Sequence, residues 1–368
     1  MSAGSRTPAP TVREVAAAVA RAFPLAWAEP WDNVGLLAGD PAAPVTGVLV
    51  SLDPTLDAVE RAVGLGANVL ATHHPAFLTP PARLVMGTPI ERLLAAALAS
   101  GVALIAAHTN LDRAPAGATA LPALLGLDPG VPIERALQQV TLVSLYCPPE
   151  AADAVREAMF AAGAGRIGEY EECSFALAGT GAFRTPATAE PDKATTTEEI
   201  KLEVVCDPAV RGAVVSAARE AHPYEEPLIT LTAGEIARGE ARMGRLCTLS
   251  APVSLAALAA TTARVFECTP RVWGDRERLL TRVATATGSA GGLLGDVTAA
   301  GADVLVAGEV RYHDALNAVE NGVCVIEVGH DVSEWPLVPV LGTAVRETPG
   351  LDPALVHVDR ARRAWWTP

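Results

Sequence analysis

The chain has 368 residues, half of them hydrophobic, which is enough for more than one domain to bury a core of its own. Acidic residues outnumber basic ones by 42 to 28, and the formal charge of −14 discourages non-specific contact with nucleic acid or an anionic membrane. The six cysteines (Cys147, Cys173, Cys206, Cys247, Cys268, Cys324) form no Cys-x-x-Cys pair, which excludes a zinc ribbon or a thioredoxin-type site and leaves a reduced, cytoplasmic protein as the expectation.

The first ten residues are polar and proline-containing, and the apolar stretch after them is interrupted by Arg13, Glu14, Arg21 and Pro24, unlike a secretory signal. Thr11 and Glu14 have the spacing of a capping box, which predicts a helix from Thr11 through Phe23. Residues 29–39 read as a turn-rich connection. Strand-like runs at 45–52, 67–72 and 102–107 then alternate with helical stretches at 55–63 and 90–99. Such a βαβαβ rhythm predicts a parallel sheet flanked by helices. The longest uncharged run, 93–107, is broken at Ser100-Gly101 and falls short of the roughly 20 residues a membrane span requires.

The middle of the chain follows a different pattern. A strand-like run at 140–146, a helix at 150–162, glycine-rich turns, and a further strand and helix within 201–221 predict a small ferredoxin-like α+β insert. Residues 185–197, rich in Pro, Ala and Thr, read as an exposed loop between its halves. The α/β rhythm then returns, with strand-like runs at 282–286, 304–307 and 323–328. The expected organisation is two α/β halves with parallel-type sheets, residues 1–135 and 236–368, flanking an inserted domain at 136–235.

Histidine is scarce, seven in all, yet His73, His74 and His108 fall just after strand-like runs and His330 follows another. Ligands of open parallel sheets sit outside the carboxyl ends of the strands, so these positions can converge on one crevice. Pro75 takes the chain out of the strand, which lets two adjacent imidazoles reach one site. The pair reads either as metal-binding or as two loop histidines. Asp112, in His108-Thr109-Asn110-Leu111-Asp112, offers a hard oxygen ligand at a strand end, or caps a turn. His330 and Glu334 lie four apart, so a helix starting near Asp331 places them near one face, able to grip one ion or two neighbours. A capping turn with an exposed glutamate is the alternative.

Glu309 and His313, again four apart after a strand-like run, suit acid–base machinery or a surface helix pair. Residues 287–292, Thr-Gly-Ser-Ala-Gly-Gly, join a strand to a helix and either present N–H groups to an anion or make a tight turn. Gly163-Ala-Gly-Arg-Ile-Gly168 matches G-x-G-x-x-G but follows a helical stretch, whereas a dinucleotide site needs a strand there.

At these residues the sequence resembles the Nif-three-like family of dinuclear metal proteins, also called GTP cyclohydrolase I type 2. The resemblance rests on Trp31-Asp32-Asn33-Val34-Gly35-Leu36, Thr72-His73-His74-Pro75, His108-Thr109-Asn110-Leu111-Asp112, Gly308-Glu309 with His313, and Gly329-His330 with Glu334-Trp335-Pro336. The middle is similar to the PII and CutA type of ferredoxin-like domain through Gly163 to Tyr170, Cys173-Ser174-Phe175, Gly179 to Phe183 and Ala221-His222-Pro223-Tyr224-Glu225-Glu226-Pro227. Residues 185–193 and 287–292 depart from the family's pattern. The resemblance implies metal ligation by His73, His74, Asp112, His330 and Glu334, with Glu334 bridging two divalent ions per subunit.

It also implies a toroidal homohexamer whose metal sites face an interior cavity. The implied reaction is ring-opening hydrolysis of GTP with formate release, Glu309 or His313 carrying protons. A phosphoesterase, or a non-enzymatic metal-handling or regulatory hexamer, are the alternatives. Zinc, iron or manganese all suit imidazole and carboxylate ligands, and a nucleotide or small phosphorylated molecule is the expected partner besides self. His222 reads as structural in the insert and His357 as surface or packing.

Overall fold

Thr11 accepts a hydrogen bond from the backbone of Glu14, whose carboxylate returns one to the Thr11 N–H, and this reciprocal cap starts helix α1 (Val12–Ala22). The computed structural model describes residues 9–135, 137–168, 170–184, 195–237, 239–360 and 365. They form two units, Met1–Arg135 with Glu240–Pro368, and Ala136–Gly239.

In chain order the first unit continues with β1 (Gly35–Ala38), β2 (Val48–Ser51), α2 (Leu56–Gly64), β3 (Val69–Thr72), α3 (Pro89–Ala99), β4 (Ala103–Ala106), three short helices α4 (Thr109–Arg113), α5 (Pro115–Ala118) and α6 (Ala120–Leu124), and β5 (Val131–Pro132). The second unit comprises β6 (Leu137–Cys147), α7 (Ala152–Ala161), β7 (Ser174–Phe183), β8 (Thr195–Cys206), α8 (Arg211–Ala221) and β9 (Ile229–Ala237). The chain then returns to the first unit through β10 (Arg245–Ser254), α9 (Leu255–Val265), β11 (Arg271–Trp273), β12 (Leu279–Ser289), α10 (Leu294–Ala299), β13 (Val304–Glu309), α11 (Tyr312–Glu320), β14 (Cys324–Glu327), α12 (His330–Glu334), α13 (Leu337–Arg346) and β15 (Val356–Val358).

The first unit holds two sheets, ordered β1-β4-β3-β2-β15 and β11-β14-β13-β12-β10-β5. Their centres, β15-β2-β3-β4 and β12-β13-β14, are parallel, while β1, β11, β10 and β5 pair antiparallel. Parallel strands covered on both faces need apolar side chains on both, which is why they read as unbroken hydrophobic runs. Val48, Val50, Val69, Ala71 and Ile105 pack on one face of the first sheet; Leu49, Leu70 and Leu104 pack on the other. Burying each of these valine, leucine and isoleucine side chains contributes about 1.5–3 kcal/mol.

Three expectations change. Residues 29–39 are not all connection: Gly35–Ala38 forms β1 against β4, a strand too short and too uniformly half-buried to alternate in sequence. Of the loop expected at 185–197, residues 195–197 open β8, and 185–194 lie outside the described residues. The halves are also interleaved. β15, with His357 opposite Leu49, closes the edge of the first sheet, and β5 closes the edge of the second.

The second unit has a four-stranded antiparallel sheet ordered β7-β8-β6-β9, the ferredoxin-like order for a βαββαβ chain. Val143, Leu145, Leu202 and Val204 pack against Val155, Met159 and Val214 of its two helices. His222 is buried there, its Nε2 meeting the Tyr146 carbonyl at 2.8 Å. The Gly163–Gly168 segment follows α7 and leads to a bridge between Ile167 and Tyr170. Among the described residues no helix is long and apolar enough to cross a membrane.

Candidate metal centre

Strand ends of both sheets deliver the candidate residues. After β3 the chain bends, with the Thr72 hydroxyl donating to the His74 carbonyl at 2.7 Å, and the His73 and His74 rings come to rest with centroids 5.0 Å apart. His108 follows β4 as the residue before α4, and Asp112 lies within α4 itself, not on the strand exit where its sequence position had suggested it. Gly329, at φ +107, turns the chain from β14 into α12. That single helix turn sets His330 Nε2 3.1 Å from Glu334 Oε1, the i,i+4 relationship expected of the pair.

All four imidazoles are oriented in one way. Nδ1 of His73 meets the Ala107 carbonyl at 3.0 Å, that of His74 meets Asp53 Oδ1 at 2.8 Å, that of His108 meets Asp32 Oδ1 at 2.9 Å, and that of His330 meets Glu309 Oε1 at 3.2 Å. An imidazole that spends its Nδ1 proton on an oxygen keeps Nε2 as a lone-pair donor, the usual arrangement behind a metal-bound histidine. Asp32 is itself fixed, accepting from the Thr109 N–H at 3.0 Å and its hydroxyl at 2.5 Å. Its burial favours the neutral acid, but His108 and Thr109 outweigh that and hold its pKa at about 2.

The Nε2 atoms surround Glu334. Its Oε2 lies 3.0 Å from His74 Nε2 and its Oε1 3.7 Å from His73 Nε2, while Asp112 Oδ2 lies 3.8 Å from the same nitrogen. Yet among the described residues neither His73 Nε2 nor Glu334 Oε2, both fully buried, closes a well-aligned hydrogen bond, Oε2 having only the ion-pair contact with His74. Buried lone pairs seldom go unsatisfied, and lone pairs converging from nitrogen and oxygen call for a cation between them. Two overlapping triads meet the spacing for one: His73, His74 and His108, and His74, His330 and Glu334, with donor atoms within 4.8 Å of each other in each.

The electrostatics agree. Burial alone would make His74 less basic, but Asp53 and Glu334 lift its pKa to about 10; for His330 the Glu334 contact dominates over burial and lifts it to about 9. Burial opposes charge on Glu334, but His330, His73 and His74 hold its pKa well below the ordinary glutamate range. The pocket is thus built to hold positive charge, and a divalent ion competes for it with protons.

Close backbone approach completes the pocket. Gly288 has φ +59, and a Cβ there would stand 2.3 Å from Glu334 Oε1. Its N–H donates to Ser333 Oγ at 2.8 Å, so the 287–292 segment, one of whose readings was an anion cradle, closes the wall behind Glu334 with this group. Thr287 reaches Asp112 Oδ1 at 2.5 Å.

The structure therefore gathers His73, His74, Asp112, His330 and Glu334, with Glu309 behind His330. His313 is exposed on α11, its ring edge-on to Tyr312 at 5.3 Å. His108 joins the cluster, as its strand-end position suggests although it is not among the expected ligands, and Asp32 and Asp53 join it without having been expected there. For His108 the strand-end position was already a signal, and Asp53 shares it as the second residue after β2.

Comparison with known proteins gives consistent matches over nearly the whole chain. A family profile described as Duf34/NIF3 (NGG1p interacting factor 3) matches residues 10–359. A Mycobacterium leprae protein named GTP cyclohydrolase 1 type 2 homolog is 34% identical over 327 residues, covering 86% of this chain and 84% of that protein. A Bacillus subtilis protein of the same name is 30% identical over 315 residues, covering 83% and 84%. Among solved structures, a Bacillus cereus protein related to NIF3 aligns with a TM-score of 0.66 at 26% identity, covering 98% of this chain and 100% of that one.

Proposed function

Because the chain belongs to the Duf34/NIF3 family, we propose that it holds two divalent ions with His73, His74, Asp112, His330 and Glu334, and that it is a metal-dependent hydrolase of the GTP cyclohydrolase type. The observation that carries this reading is the buried Glu334 carboxylate, whose two oxygens face imidazole nitrogens from separate segments, beside a buried His73 Nε2 that makes no hydrogen bond among the described residues. Its two oxygens suit it to bridge two ions, and His108 supplies a further nitrogen beside His73 and His74. Bound ions of this kind lower the pKa of a water and polarise the bond it attacks.

The chain's own groups take the remaining roles. Glu309 is exposed and touches His330 Nδ1, a position from which it orients that ring and exchanges protons with solvent. His313, exposed on α11, is the alternative proton carrier. The named relatives support the substrate class only through their names, so GTP is the first substrate to test. The toroidal homohexamer and the PII/CutA-like reading of the inserted unit belong to the same proposal, as does a reducing cytoplasmic location, which suits six free cysteines.

The test is formate release from GTP by protein loaded in turn with zinc, manganese and iron, with Glu334→Ala as control. Metal-dependent turnover that disappears in the variant supports the hydrolase reading. Full occupancy without turnover removes GTP and favours a metal-handling protein or a phosphoesterase.

A further inference from the structure

Two arginines of the first unit are almost fully buried, and they are treated differently. Arg113 is paired, with Nη2 2.5 Å from Glu29 Oε1 and 2.8 Å from Glu134 Oε1. Arg245, at the start of β10 and 6% exposed, has no hydrogen bond or ion pair from its guanidinium among the described residues, and its Nε is wholly buried and unpartnered. A buried donor left without a partner is a cost that folds seldom keep. In a chain of 42 acidic residues the missing carboxylate is not a matter of supply.

Arg242 adds a second cation. Among the described residues its Nε is also buried without a partner, and its Nη1 reaches the Glu134 carbonyl at 3.4 Å. Burial pushes the Arg245 pKa down; Glu240 opposes that and the like charge of Arg242 adds to it. Two guanidinium groups with free planar donor edges match the oxygens and the double charge of a phosphate better than the single charge of a carboxylate.

Register fixes where this pair lies. Arg245 is the cross-strand partner of Thr285 on β12. Arg245 therefore lies opposite a residue two positions before Thr287, the residue that holds Asp112, at the end of β12 that leads to the candidate ligands. We propose that Arg245, with Arg242 beside it, forms an anion subsite that takes the phosphate group of a small-molecule ligand. The subsite deepens the hydrolase reading, and rests on it only for that ligand being the substrate.

The experiment is calorimetric titration of inorganic phosphate, and separately of acetate, into the metal-loaded full chain and its variants, with metal content and solution mass measured alongside. Phosphate binds the parent chain more tightly than acetate; Arg245→Gln weakens it by about tenfold or more, Arg242→Gln and Arg245→Lys weaken it less, and metal content is unchanged in all three. Phosphate binding persists in Glu334→Ala, so failure of the metal reading appears in the metal content while failure of the subsite appears in the phosphate affinity. The subsite is overturned if the parent chain binds no phosphate, if acetate binds as well, or if Arg245→Gln binds phosphate unchanged. A changed solution mass of Arg245→Gln without phosphate binding in the parent would assign the guanidinium to a partner's carboxylate instead. Should Arg245→Gln not fold, Arg245→Lys and Arg242→Gln carry the comparison.

Discussion

The hydroxyl of Thr287 donates to Oδ1 of Asp112 at 2.5 Å across 175 positions of sequence, so a strand of the second half orients a candidate ligand supplied by the first. Hydrogen bonds behind metal ligands commonly govern affinity by about 10–100-fold. Thr287→Val keeps the shape and removes the donor, and its metal affinity, measured by competition with a chelator, is expected to fall within that range. Unchanged affinity would show that Asp112 needs no such support, or does not ligate.

Gly288 offers a steric test of the same pocket. Gly288→Ala forces a side chain onto a left-handed backbone at φ +59 and drives its Cβ to 2.3 Å from Glu334 Oε1. The backbone cost alone is about 1–2 kcal/mol. Elemental analysis of the purified variant should find most of the metal gone, with the circular dichroism spectrum little altered. Full metal retention would count against Glu334 as the bridge.

Arg113 joins Glu29, Glu134 and the Trp27 carbonyl, and the Glu134 carboxylate also accepts from the Met243 N–H, so one buried cation ties α4 to both halves of the chain. Breaking a buried pair by removing one partner typically costs about 3–5 kcal/mol. Arg113→Ala is expected to lose stability of that size in denaturant titration, and metal affinity with it, because Asp112 is the preceding residue of α4. A loss below about 1 kcal/mol would mark the pair as exposed in its energetics.

A fourth expectation concerns pH. Glu327, at the end of β14, accepts from the Trp273 indole at 2.7 Å, the Val310 N–H at 2.9 Å and the Arg271 guanidinium at 2.7 Å. Burial would raise its pKa, but Arg271, then Trp273 and Val310, hold it below the ordinary 4.5. A carboxyl depressed on folding contributes stability above its unfolded pKa and loses it as pH falls through the folded value. Glu327→Gln should therefore melt earlier than the parent chain at pH 7, by about 1–3 kcal/mol after allowing for the exposed Arg271. The gap should close below pH 4.5, with Trp273 fluorescence reporting the same transition. A gap that persists in acid would assign the loss to packing.

Much of the scaffold was legible because its signals are local. The Thr11 and Glu14 cap, the apolar runs of β2, β3 and β4, and the four-residue spacing of His330 and Glu334 depend on neighbours within one turn or one strand. β1 was missed because its four residues are all half-buried and carry no alternation. His313 was grouped with Glu309 on spacing alone, but the helix containing it begins only at Tyr312, so the two do not share a helical face.

The sequence by itself determined the ligand types, nitrogen and carboxylate oxygen at strand ends, and the local geometry of each segment, since backbone dihedrals and side-chain periodicity set those within a few residues. Only the tertiary structure decided that His108 joins His73 and His74, that Asp32, Asp53 and Glu309 turn the imidazoles, and that β15 closes the first sheet. It alone showed that Arg113 is paired while the Nε of Arg245 has no partner among the described residues. These relationships join residues up to about three hundred positions apart, and their distances come from how two sheets pack, which no local periodicity encodes.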